Sequence, residues 1–155
     1  MKKGITMSLK GLIKKAVPGV LWQNPVVWMG LRALDPLDHA VRSTRGFSHL
    51  PPFSVRVRSN GITKQFGGRN FDHYGRILAG LLQDNAALVS TSDVLEIGCG
   101  CGRTALALAR ILENGHYTGI DIERVSLEAC RKNPLLRQKE FRFDLLDVQN
   151  NEYNP

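Results

Sequence analysis

The sequence predicts an α/β fold with a doubly wound parallel sheet, and three observations predict it. Short β-rich runs at Val94–Ile97 and Tyr117–Ile120 alternate with helix-forming stretches at Arg103–Glu113 and Glu123–Lys132. A third run, Glu140–Phe143, completes a β-α-β-α-β order, in which parallel strands are joined by helical crossovers. The first strand also feeds directly into a glycine loop, Gly98-Cys99-Gly100-Cys101-Gly102, that opens onto a helix.

Each element has a local cause. Val94-Leu95-Glu96-Ile97 is β-rich and stops at glycine. Arg103–Glu113 is dense in Ala and Leu, strong helix formers, and Asn114-Gly115 supplies a stop. The Glu123–Lys132 helix is closed by Asn133-Pro134, because a residue before proline is pushed out of the helical region. These elements fill a zone from 91 to 155. Residues 47–90 form a lead-in. After Pro51-Pro52, the strict alternation Phe53-Ser54-Val55-Arg56-Val57-Arg58 predicts a half-buried strand with Arg56 and Arg58 on its solvent side. Ser59-Asn60-Gly61 is a turn signal, and Ile62 to Phe66 is expected to return as the second strand of a hairpin. A helix is expected from about Phe71 to Leu82. Residues 1–46 form a basic arm, in which Leu9, Leu12, Ile13 and Val17 recur at helical spacing with Lys10, Lys14 and Lys15 opposite.

A chain of 155 residues suffices for one domain with a real core. Its net charge of +7 is unevenly spread: residues 1–76 hold 13 Lys/Arg against 3 Asp/Glu, and residues 77–155 hold 8 against 11. The charge imbalance suits an anionic partner or simply forms a solvated face. The amphipathic stripe suits an anionic membrane surface, helped by Trp22 and Trp28, although such a stripe more often packs on the protein's own body. Nucleic acid is the less favoured partner. Lysines interrupt the apolar stretch that a signal peptide needs, and no run is long enough to span a bilayer, so a cytoplasmic or membrane-peripheral chain is expected. Cys99, Cys101 and Cys130 fit a reducing compartment, and no Cys or His pair has zinc spacing, so no metal is expected. His39, His49, His73 and His116 are scattered and none is singled out as a base.

The strand–loop–helix segment carries the chemistry. Glycines let a ligand approach the backbone closely, and free N–H groups at a helix start favour a carboxylate or phosphate. The dinucleotide fingerprint would put its third glycine at position 103, which is Arg103. Here the third glycine comes one residue early, at Gly102, and Glu96 sits two places before the first. This E-x-G-x-G-x-G pattern resembles motif I of the class I S-adenosylmethionine-dependent methyltransferases. Thr118-Gly119-Ile120-Asp121 and Phe143-Asp144-Leu145-Leu146-Asp147-Val148 resemble the family segments that end its second and third strands, so the likeness covers about residues 90–150.

The resemblance implies a Rossmann-like fold, S-adenosylmethionine as cofactor, and methyl transfer. It implies cofactor contacts from Glu96, Gly98, Cys99, Gly100 and Gly102, and from Asp121 on the ribose hydroxyls with Ile122 beside it. Asp147, rather than Asp144, would take the adenine amino group, with the Val148 backbone at the ring edge. Arg69 is a candidate for the cofactor carboxylate, although Phe66-Gly67-Gly68-Arg69 reads better as a plain turn. In the family the acceptor-holding groups commonly come from the loop after the fourth strand and from later elements, so no catalytic residue is assigned, and a small-molecule, lipid or glycan acceptor is expected. The family's fourth strand lies beside the first. Its C-terminal half is therefore expected to be missing here, leaving Val94–Ile97 an open edge in a fragment of a longer reading frame. The alternative is a non-catalytic cofactor-binding or interaction module whose basic arm docks on an anionic partner. A nicotinamide-dependent oxidoreductase ranks third, with Arg103 against it.

Overall fold

A computed structural model describes residues 24–139, 141–146 and 148. The stripe from Leu9 to Val17, Trp22, Glu140 and Asp147 lie outside the described residues. Four helices come first: α1 (Pro25–Ala33), α2 (Asp35–Thr44), α3 (Phe53–Asn60) and α4 (Arg69–Ala86). The sheet region follows as β1 (Val94–Ile97), α5 (Arg103–Leu108), β2 (Tyr117–Asp121), α6 (Arg124–Lys132), α7 (Pro134–Gln138) and β3 (Arg142–Leu145). The strands are parallel in the order β1-β2-β3, with Ile97 opposite Ile120 and Asp121 opposite Leu145. This is a mixed α/β fold with a small parallel sheet, consistent with part of a Rossmann-like domain.

The hairpin expected over Phe53–Phe66 does not form. Phe53–Asn60 is helix α3, and Ile62–Phe66 is not a strand. Tertiary contacts outweigh the alternation. Asp35 accepts hydrogen bonds from the Ser54 backbone N–H at 2.8 Å and the Ser54 hydroxyl at 2.7 Å, satisfying a donor that a helix start leaves orphaned. Phe53 and Val57, one turn apart, pack with Leu31 in a small core. Arg56, expected in solvent, is fully buried: its Nη2 donates to Asp38 Oδ1 at 2.8 Å and to the Gln65 carbonyl at 2.7 Å, and its Nη1 to the Pro51 carbonyl. Arg42 Nε holds the other Asp38 oxygen at 2.6 Å. A strand would force Arg56 and Arg58 onto one side, whereas a helix separates them by about 200°. The helix therefore sends one arginine inward and the other elsewhere.

Smaller departures have packing causes too. The third strand is Arg142–Leu145, two residues later than the expected Glu140–Phe143, and Asp144 lies within it, paired to Arg142 at 2.7 Å. Phe141 stacks on Tyr117 at 4.9 Å just before that strand begins. Helix α5 ends at Leu108 instead of Glu113, because Arg110 and Ile111 close tighter i→i+3 turns that carry Leu112 into the core. Helix α7 was not anticipated; Pro134 occupies its first turn and the Asn133 side chain accepts from Leu135 N–H at 3.1 Å.

Helix α4 lies close on α5 at Gly75, where a Cβ would stand 2.6 Å from the Arg103 carbonyl oxygen. The main core runs through Leu106, Leu108, Leu112, Leu127, Leu136 and Phe143. Among the described residues β1 pairs only with β2, so its other edge is open. Leu95 and Ile97 are exposed beside that edge, as are Tyr74, Ile77, Leu78 and Leu81 on α4. No helix among the described residues is long and apolar enough to cross a membrane.

Candidate functional site

Parallel strands bring the loops that follow them to one edge of the sheet, where such folds place their ligands. Here a cavity of about 330 Å³ opens at that edge. Ile97, Gly98 and Gly100 line it from the end of β1, Ile120, Asp121, Ile122 and Glu123 from the end of β2, and Leu146 from beyond β3. Arg58 and Ser59 of α3 close its remaining side.

The glycine loop is wired inward. Gly98 N–H and Cys99 N–H both donate to the Ile120 carbonyl, at 2.7 and 3.1 Å. Gly100 N–H donates to Asp121 Oδ2 at 2.6 Å, and Gly102 N–H to the Cys99 carbonyl at 3.0 Å. The sequence led us to expect free N–H groups there for an anion. Four of the loop's donors are instead spent within the protein, one of them on a carboxylate. Gly98, Gly100 and Gly102 all adopt positive φ, and at Gly102 (φ +81°) a Cβ would also stand 2.9 Å from Cys130 Sγ. That position has room for glycine alone.

Asp121 ends β2 and binds on both sides: besides Gly100, its Oδ1 accepts from Glu123 N–H at 2.8 Å. Glu123 then caps α6, its Oε2 accepting from Ser126 N–H at 2.7 Å, while its Oε1 accepts from Arg58 Nε at 2.7 Å. The Arg58 guanidinium lies 4.6 Å from the centre of the Trp28 ring. Ser59 Oγ shares a 2.7 Å hydrogen bond with Ser126 Oγ. Helix α3 is thereby fastened to the start of α6 across the mouth of the cavity.

Of the residues named from the sequence, Gly98, Gly100, Asp121 and Ile122 line the cavity together. Glu96, Cys99 and Gly102 do not. The Glu96 carboxylate accepts hydrogen bonds from the Tyr117 hydroxyl and from Thr104 Oγ1, the latter at 2.8 Å, and burial raises its pKa. Cys99, Cys101 and Cys130 are buried free thiols; burial pushes Cys101 up to about 11 and Cys99 up to about 12, so both stay protonated at neutral pH as packing groups. Val148 is exposed, and its backbone N–H donates to the Leu146 carbonyl at 2.9 Å. Asp147 lies outside the described residues. Arg69 begins α4, exposed, and does not line the cavity. Sequence reasoning missed the cavity roles of Arg58, Ser59 and Glu123. For Glu123, its place two residues after Asp121 and three before Ser126 was a usable signal; for Arg58 and Ser59 there was none once α3 had been read as a strand. Among the described residues, no group of three or more His, Cys, Asp or Glu could hold a metal ion.

Residues 88–154 match a protein family described as a methyltransferase domain. The match supports membership of this segment in the class I S-adenosylmethionine-dependent methyltransferase family, as its motifs imply. An uncharacterized protein of Rickettsia prowazekii (strain Madrid E) is 36% identical over 56 residues, which is 36% of this chain and 10% of that protein. The chain thus matches about a tenth of the length of this relative. No solved structure matches the chain significantly.

Proposed function

We propose that this chain, whose residues 88–154 carry a methyltransferase domain, binds S-adenosylmethionine in the cavity at Asp121 and serves methyl transfer to a small-molecule, lipid or glycan acceptor. The observation that carries the reading is the inward wiring of the glycine loop onto Asp121. A dinucleotide pyrophosphate needs free N–H donors at such a loop, and a carboxylate bonded to Gly100 repels it. An adenosyl ligand brings no phosphate and offers two ribose hydroxyls.

The residues fit such a ligand. Each Asp121 oxygen accepts one backbone N–H and keeps a second lone pair, so each can accept one hydroxyl. Ile122 and Leu146 offer apolar surface for a base, and Gly98 and Gly100 admit close approach by the rest of the molecule. Asp147 and Val148 are assigned to the adenine edge by resemblance. Glu96, Cys99 and Gly102 hold the loop from behind, Glu96 through Thr104 at the start of α5. The cavity volume falls in the range of small-molecule sites. When bound, S-adenosylmethionine supplies a methyl group on a cationic sulfur. The part played by this chain is to fix the nucleoside end and exclude water around it, which reduces the entropy of bringing an acceptor into line. Calorimetry on the chain should give binding of S-adenosylhomocysteine and none of NADH. Tight NADH binding without a response to S-adenosylhomocysteine overturns the reading.

A further inference from the structure

We propose that Arg58 recognises the carboxylate of the molecule bound in this cavity. Resting on the adenosyl reading above, the proposal assigns that carboxylate to the amino-acid end of the ligand. Among the described residues Arg58 is the one cationic side chain lining the cavity, facing two carboxylates there, Asp121 and Glu123. A ligand carboxylate needs donors, and the loop offers few, since the N–H groups of Gly98, Cys99, Gly100 and Gly102 are already spent. Arg58 has donors to give. Its Nε is held by Glu123, but its two Nη groups make no hydrogen bond to the described residues, and its side chain remains 32% exposed. A guanidinium carries five N–H donors in a planar fork that matches a carboxylate.

The fork is also oriented in advance. Glu123 fixes it along one edge, the Trp28 ring covers one face, and Glu123 is itself fixed by capping α6. Ordering such a side chain before the ligand arrives removes much of the entropic cost of using it. Arg58 and Trp28 lie in α3 and α1, outside the matched segment 88–154. On this proposal the helices before the methyltransferase segment complete its ligand site, and the role first considered for Arg69 falls to Arg58.

The test compares two ligands that differ by the amino-acid end. S-adenosylhomocysteine carries the carboxylate, and 5′-methylthioadenosine keeps the nucleoside and thioether without it. Calorimetry on the full chain should show both binding. In Arg58→Met, which keeps an apolar stem against Trp28 but no donors, affinity for S-adenosylhomocysteine should fall about 10- to 100-fold. Affinity for 5′-methylthioadenosine should change by less than about threefold, which also shows that the cavity is intact. Arg58→Lys restores the charge without the fork and should recover part of the loss. The proposal is overturned if Arg58→Met keeps the wild-type preference for S-adenosylhomocysteine, or if both ligands weaken in parallel in Arg58→Met and Arg58→Lys. A wild-type chain that binds neither ligand sinks the adenosyl reading itself, which is a different result.

Discussion

Asp121→Asn probes the site sharply, because its two carboxylate oxygens face two backbone donors. Oδ2 accepts from Gly100 N–H at 2.6 Å and Oδ1 from Glu123 N–H at 2.8 Å. An amide has one oxygen, so whichever way it turns, its NH2 group confronts one of those N–H groups. One hydrogen bond to a charged group is lost, on the order of 1.5–3 kcal/mol, and the donor–donor contact is relieved only by moving the loop. Asp121 is half-buried, so water softens the loss. The expected net cost is about 2–3 kcal/mol of unfolding free energy, against a total of about 5–15 kcal/mol for an ordinary domain. Asp121→Ala loses both bonds but leaves room for water, and its stability cost should be no larger. For the ligand, Asp121→Ala should lower S-adenosylhomocysteine affinity by roughly ten- to a few hundred-fold, and Asp144→Ala far less. Urea unfolding followed by circular dichroism reads the first effect and calorimetry the second. The reasoning is refuted if Asp121→Asn unfolds within about 0.5 kcal/mol of wild type and binds the ligand fully. It is equally refuted if Asp144→Ala weakens binding as much as Asp121→Ala.

Two further expectations concern the loop's support. Burial raises the Glu96 pKa, so the folded chain holds that proton more tightly than the unfolded one. Its contribution to stability is complete below the unfolded pKa and is lost as pH rises through the folded value. The unfolding free energy of wild type minus that of Glu96→Gln should therefore fall as pH rises above the ordinary carboxylate range, and a flat or rising difference in urea titrations contradicts the burial argument. Gly102→Ala combines a positive φ with a Cβ 2.9 Å from Cys130 Sγ and should cost about 1–3 kcal/mol. Gly80→Ala, in α4 with nothing within 4 Å of the new Cβ, should instead be neutral or stabilising by up to about 1 kcal/mol. Thermal unfolding of the pair checks both signs, and equal effects would undo the distinction.

What was legible in the sequence divides by the range of the forces involved. Val94–Ile97, Tyr117–Asp121 and the loop glycines Gly98, Gly100 and Gly102 carry local signals, namely β-rich runs and positive-φ positions, and the structure forms them where those signals lie. The gathering of Gly98, Gly100, Asp121 and Ile122 around one cavity follows from parallel strand order, which puts the ends of successive strands on one edge. Helix α3 was illegible because the deciding partner, Asp38, lies 18 residues away from Arg56. An alternating F-S-V-R-V-R run satisfies a strand's period, and nothing local says that Arg56 will find a buried carboxylate shared with Arg42. Once that pair forms it cannot be half-made, because a buried guanidinium without Asp38 is left as an uncompensated charge. The ion pair therefore selects the helix, and the helix carries Arg58 to Glu123 and Ser59 to Ser126. One long-range contact thus determines both the error about Phe53–Phe66 and the two residues by which the N-terminal helices reach the cavity.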